Sequence, residues 1–183
     1  MKNLNVPNII TASRILGAVT MVFLPYPKTA FLVLYTLCGI SDALDGVIAR
    51  LTSSESEWGA RLDSIADLVF YAAMLIKTTP VLTKTLDNVV WIFAAVVILV
   101  RLSSYLIAAI KYRKFASQHT YLNKLTGFAV FCLPYLLAIT DLHNLIAVLV
   151  CAIGFLASLE ELILHVVSSG YDTSRKTLLS VKK

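Results

Sequence analysis

Apolar residues fill six stretches of this chain, each near the length of about 20 residues that a helix needs to cross a bilayer, and short polar or proline-bearing segments divide them. The first runs from about Pro7 to Leu24. Pro7 suits a first helical turn, where its missing N–H is not needed, and Pro25 and Pro27 end the run. The second covers about Lys28 to Ala49, and a polar connection follows from Arg50 to Trp58. The third begins at Gly59 and stays apolar to Ile76, before a turn predicted over Lys77 to Asp87 around Pro80. Asn88 to Ile110, Tyr121 to Ile139 and Leu145 to Val167 complete the series, with a tail from Ser168 onward. The pattern predicts an all-α polytopic membrane protein: one six-helix domain over residues 1–167 and a short basic C-terminal tail over 168–183.

Composition agrees with that pattern. Of the 183 residues, 58% are hydrophobic, and the mean hydropathy of +0.79 exceeds what a soluble domain with a polar surface carries. The 16 Lys and Arg outnumber the 11 Asp and Glu, and most lie between apolar runs or in the tail, a placement that suits anionic lipid headgroups rather than nucleic acid. With a cytoplasmic N-terminus, Lys2, Arg50, Arg61, Lys111, Arg113, Lys114, Arg175, Lys176, Lys182 and Lys183 fall on the cytoplasmic side, and only Lys28, Lys77 and Lys84 fall opposite. The positive-inside bias therefore predicts both termini in the cytoplasm. No signal-peptide cleavage pattern is evident at the start, so the first span is expected to stay. Cys38, Cys132 and Cys151 lie in apolar runs without metal or redox spacing and read as small packing residues.

Against this apolar background, Asp42, Asp45, Asp63 and Asp67 stand out. Residues three or four apart share a helix face, so each pair aims its carboxylates one way, and a loop can bring the pairs together. Like charges gathered where the dielectric is low repel strongly unless cations join them. An oxygen-only donor set without Cys or His favours Mg²⁺ or Mn²⁺ over zinc. Two such ions can hold a diphosphate for in-line displacement. Gly46, Ala49 and Gly59 leave room for a base or ribose to approach the backbone, and Arg50 is placed to meet a phosphate.

The run Asp42-x2-Asp45-Gly46-x2-Ala49-Arg50-x8-Gly59-x3-Asp63-x3-Asp67 resembles the signature of the CDP-alcohol phosphatidyltransferase family at every defined position. The opening Val6-Pro7-Asn8-Ile9-Ile10-Thr11-x2-Arg14 is similar to that of bacterial family members that use glycerol 3-phosphate. The resemblance implies transfer of a phosphatidyl group from CDP-diacylglycerol to a small alcohol, with release of CMP. It implies Asp42, Asp45, Asp63 and Asp67 as ligands of two divalent ions, with Asp67 also the catalytic base for the incoming hydroxyl. Gly46, Ala49, Arg50 and Gly59 would line the CDP pocket. It further suggests a homodimer in the bacterial inner membrane, its site facing the cytoplasm.

The acceptor is read from other residues. Arg101, Lys111, Arg113 and Lys124 form a basic set after the aspartates, as an anionic acceptor such as glycerol 3-phosphate requires. Lys111, Arg113 and Lys114 equally suit a juxtamembrane basic stop. Leu102 and Thr126-Gly127 depart from the glycerol 3-phosphate pattern, so serine, inositol phosphate and phosphatidylglycerol stay open as acceptors. Glu160 and Glu161 in the sixth run are expected to pair with Arg14 or Arg101. A cation transporter is the rival class, but the chain lacks the paired repeats and midplane-broken helices such proteins often show.

Overall fold

The computed structural model describes residues 6–52, 56–113 and 120–167. These form six helices: α1 (Val6–Phe23), α2 (Thr29–Leu51), α3 (Glu57–Thr85), α4 (Asn88–Tyr112), α5 (Tyr121–Ile139) and α6 (His143–Val167). No strand occurs among the described residues. The predicted tail from Ser168, with Lys114 and His119, lies outside them. Among the described residues, five helices, α1, α3, α4, α5 and α6, are long and apolar enough to cross a membrane. In α2 the apolar stretch runs over Thr29–Asp42. Many large apolar side chains, including Leu16, Phe23, Leu68, Val89 and Ile110, point outward and are exposed. A surface of that kind suits contact with lipid, while helices satisfy their own backbone groups.

One expectation is corrected. The segment Lys77–Asp87, expected as a turn at Pro80, is helical through Thr85. Proline removes one backbone donor and crowds the preceding turn, which destabilises a helix interior in water. The carbonyl that Pro80 leaves without its helical donor is that of Ile76, and Thr83 Oγ1 donates elsewhere, toward the carbonyls of Thr79, at 3.0 Å, and Pro80, at 3.3 Å. Lys77 Nζ donates to Val22 O at 2.9 Å, tying this turn of α3 to the end of α1. The helix thus gains tertiary support where the sequence alone signals a stop.

The described residues form two compact units, one up to Lys84 and one from Thr85 onward. In the first, α1 packs on α2, and Gly17 permits the approach: a Cβ there would stand 2.8 Å from Cys38 Sγ. Cys38, buried in this seam, serves as a small packing group. Longer side chains join α3 to the pair, including Tyr35 of α2, which stacks on Phe70 of α3 with ring centroids 4.9 Å apart. In the second unit α6 packs against both α4 and α5. Gly154 explains the double contact, because a Cβ there would already touch Val97 of α4 at 3.4 Å and Thr126 of α5 at 3.7 Å. Ser104, Ala108, Ala157 and Ser158 are buried in the same unit, the small-residue packing that lets apolar helices approach closely. Asn144, at the start of α6, exchanges hydrogen bonds with Asp87, just before α4.

Candidate active site

The acidic centre of the first unit is built from three helices. Asp42 and Asp45 lie one turn apart on α2, and Asp63 and Asp67 lie one turn apart on α3. On α1, Asn8, Thr11 and Arg14 recur every third residue and so share a face. Arg14 is the hub. Its Nη1 lies 2.7 Å from Asp42 Oδ1, 3.1 Å from Asp63 Oδ1 and 2.9 Å from Asp67 Oδ1, and its Nη2 donates to Asp45 Oδ2. Thr11 Oγ1 lies 2.8 Å from Asp45 Oδ2 and 2.9 Å from Pro7 O, so its single proton serves one of them at a time.

Burial divides the four carboxylates. The Asp45 side chain is 6% exposed and held from behind by Thr11 and Arg14. Asp42, Asp63 and Asp67 are 50%, 45% and 44% exposed, so ions and substrates can reach them. One oxygen from each of these three lies within 4.8 Å of the others. Among the described residues, four carboxylates meet a single guanidinium, which leaves three negative charges uncompensated if all are ionised. Hard oxygen donors, convergent geometry and excess negative charge together fit a divalent cation of the Mg²⁺ or Mn²⁺ type. Asp42, Asp63 and Asp67 would hold it directly, and Asp45, fixed behind them through Oδ2 by Thr11 and Arg14, would keep Oδ1 to offer a second ion.

Sequence reasoning missed Arg14 and Thr11 as members of this centre. A signal was available, since Arg14 is the one basic residue in the first apolar run and a cluster of aspartates needs a counter-charge. Among the expected nucleotide-pocket residues, Gly46, Ala49 and Arg50 occupy the last turns of α2, and their side chains lie outside the described residues. Gly59 sits in the first turn of α3, where an added Cβ would stand 3.0 Å from Asn8 Oδ1 and 3.1 Å from Ser56 Oγ. Both neighbours are ends of side chains that can yield a few tenths of an ångström. Gly59→Ala is therefore expected to shift stability by less than about 1 kcal/mol, below the usual cost of overpacking a core, as thermal unfolding in detergent would show.

The second unit holds the expected acceptor residues. Arg101 Nη1 donates to Glu161 Oε2 at 2.7 Å and Asn123 Oδ1 at 2.8 Å, while Nε donates to Tyr105 Oη at 3.0 Å. Asn123 Nδ2 donates to the same Glu161 oxygen at 2.7 Å. Of the two cations expected for the glutamates, Arg101 is therefore the partner of Glu161, whereas Arg14 is engaged by the aspartates. Lys111 Nζ donates to the carbonyls of His165 at 2.8 Å and Val166 at 2.9 Å, capping the negative end of α6. Arg113 closes α4 in a left-handed conformation, φ 54°, and is exposed. Lys124 is exposed near the start of α5.

A helical membrane architecture with a carboxylate centre shared by its first three helices defines an integral membrane protein with a candidate divalent-cation site. Comparison with known proteins makes this specific: residues 4–158 match the family model for CDP-alcohol phosphatidyltransferase. The chain belongs to that family. A CDP-diacylglycerol–glycerol-3-phosphate 3-phosphatidyltransferase from Cereibacter sphaeroides is 39% identical over 83 residues, covering 42% of this chain and 38% of that protein. The Arabidopsis thaliana protein named CDP-diacylglycerol–glycerol-3-phosphate 3-phosphatidyltransferase 2 is 34% identical over 98 residues, covering 50% of this chain and 42% of the relative. The matches thus span less than half the length of either relative. No solved structure matches.

Proposed function

We propose that this protein transfers the phosphatidyl group of CDP-diacylglycerol to sn-glycerol 3-phosphate and releases CMP, as a phosphatidylglycerophosphate synthase of phospholipid biosynthesis. The observation that carries the reading is the convergence of Asp42, Asp63 and Asp67 oxygens within 4.8 Å, in a chain of this family. The names of the two relatives favour the acceptor. Two divalent ions bound by the four aspartates would neutralise the diphosphate and make CMP a better leaving group.

The residues then have distinct tasks. Asp67, half-exposed and one turn beyond Asp63, takes the proton of the acceptor hydroxyl. That hydroxyl oxygen attacks the phosphorus bearing diacylglycerol, and the bond from this phosphorus to the oxygen bridging it to CMP breaks. Position contributes as well as proton affinity to such a base. Thr11 keeps the buried Asp45 in place. Gly46, Ala49, Arg50 and Gly59 line the nucleotide pocket, and Arg101, Lys111, Arg113 and Lys124 supply the positive charge for the acceptor. In the membrane, α2 crosses together with the other five helices to make six spans, both termini are cytoplasmic and the aspartates face the cytoplasm. The distribution of Lys and Arg supports that orientation.

The test is purified protein with labelled CDP-diacylglycerol, Mg²⁺ or Mn²⁺, and glycerol 3-phosphate, serine, inositol phosphate or phosphatidylglycerol in turn. CMP is expected with glycerol 3-phosphate and metal; no CMP with any acceptor, from folded protein, overturns the enzyme reading. Lys124→Ala is expected to raise KM for glycerol 3-phosphate about tenfold or more, the scale of one charge-assisted hydrogen bond, and to spare CDP-diacylglycerol affinity. Loss confined to the donor would move Lys124 out of the acceptor patch.

A further inference from the structure

The position of Arg14 has a consequence for metal loading. Its Nη1 lies within 3.1 Å of one oxygen from each of Asp42, Asp63 and Asp67, the same three residues whose oxygens converge as cation ligands. A guanidinium and a metal ion cannot both occupy the middle of that triangle. We infer that Arg14 is the internal counter-cation of the metal-free centre, and that divalent-ion binding is an exchange in which its Nη1 gives up the three carboxylates. This inference rests on the metal-centre reading above and concerns Arg14 as a positioning residue.

The arrangement allows the exchange. Nη2 is held separately by Asp45, the buried carboxylate that Thr11 also contacts, so one half of the guanidinium keeps its anchor when the other half moves. Nε is buried and makes no hydrogen bond among the described residues, so rotation can offset lost contacts by giving that nitrogen a partner. The three carboxylates that Nη1 would leave are half-exposed, which gives an incoming hydrated ion access. The side chain of Arg14 itself is fully buried. Arg14 therefore has two opposing effects: it offsets mutual repulsion of the aspartates without metal, and it competes with metal for their oxygens. Without Arg14, metal should bind more tightly to a protein that is less stable when metal-free.

The experiment is Mn²⁺ binding followed by the electron paramagnetic resonance of free Mn²⁺, with thermal unfolding of the same detergent-solubilised samples. Wild type, Arg14→Gln, Arg14→Lys and Asp63→Asn are compared without lipid substrate. Arg14→Gln is expected to tighten Mn²⁺ binding about tenfold or more, the scale for removing a unit positive charge a few ångströms from the ion. Its metal-free midpoint falls, and its midpoint gain on adding Mn²⁺ exceeds that of wild type. Arg14→Lys, which keeps the charge but cannot fork between Asp45 and the other three, falls between them and covers the case in which Arg14→Gln does not fold. Mn²⁺ affinity unchanged or weakened in whichever variant folds overturns the exchange. Wild type that binds no Mn²⁺ above Asp63→Asn overturns the metal centre itself, so the two failures are distinguishable.

Discussion

Asp63→Asn is expected to abolish phosphatidyl transfer, lowering CMP release by more than about 100-fold, and to weaken Mn²⁺ binding by at least as much. Loss of a residue that merely orients a metal ligand costs about 10- to 100-fold in affinity or activity, and Asp63 contributes its own oxygen to the convergent set. Asparagine preserves the shape but replaces an anionic oxygen with a neutral carbonyl and an NH₂ donor, which a cation repels. The fold should survive. The centre carries more carboxylates than Arg14 can balance, so removing one negative charge relieves repulsion in the metal-free protein. Its thermal midpoint without metal should hold or rise, while the gain conferred by Mn²⁺ disappears. Parallel loss of turnover and metal affinity in a well-folded variant would fit the proposed role; turnover within a few-fold of wild type would remove Asp63 from the chemistry.

The same centre shows why part of the site was readable and part was not. Asp42, Asp45, Asp63 and Asp67 are visible because carboxylates are costly in apolar runs, and their spacing alone places each pair on one helix face. Arg14 was visible as a charge, but its destination depends on how α1 packs beside α2, a contact set by Gly17 and Cys38 nearly a full helix apart in sequence. Local periodicity holds no information about that pairing. The continuation of α3 through Pro80 was hidden for a related reason. Proline signals a break locally, whereas the support comes from the Lys77 bond to α1. By contrast, the starts of α4 and α5 fall where the polar-to-apolar change puts them, at Asn88 and Tyr121, because local composition determines where an apolar helix begins.

Arg101 poses the opposite problem, a charged residue with two credible uses, and its replacement is expected to have the other large effect. Glu161 is fully buried, and one of its oxygens accepts from both Arg101 and Asn123. Arg101→Met would strip the charge partner from a carboxylate that cannot reach water, and breaking a buried pair from one side costs about 3–5 kcal/mol. The nearby His165 supplies no hydrogen bond in its place, because Nε2 stands 3.6 Å from Glu161 Oε1, beyond hydrogen-bond range. Glu161→Met should cost less, since the Arg101 side chain is 28% exposed and can turn toward water. The double variant, two methionines facing each other, should regain most of the loss, as apolar replacement of a whole buried pair often does. Unfolding in detergent followed by circular dichroism measures all three; an Arg101→Met protein as stable as wild type would show that the pair does not support the fold. The double variant then separates structure from substrate binding. If it is stable and keeps the wild-type KM for glycerol 3-phosphate, Arg101 serves the fold alone. A raised KM in that stable protein would show that Arg101 also holds the acceptor, through hydrogen-bonding capacity its contacts with Glu161, Asn123 and Tyr105 leave unused.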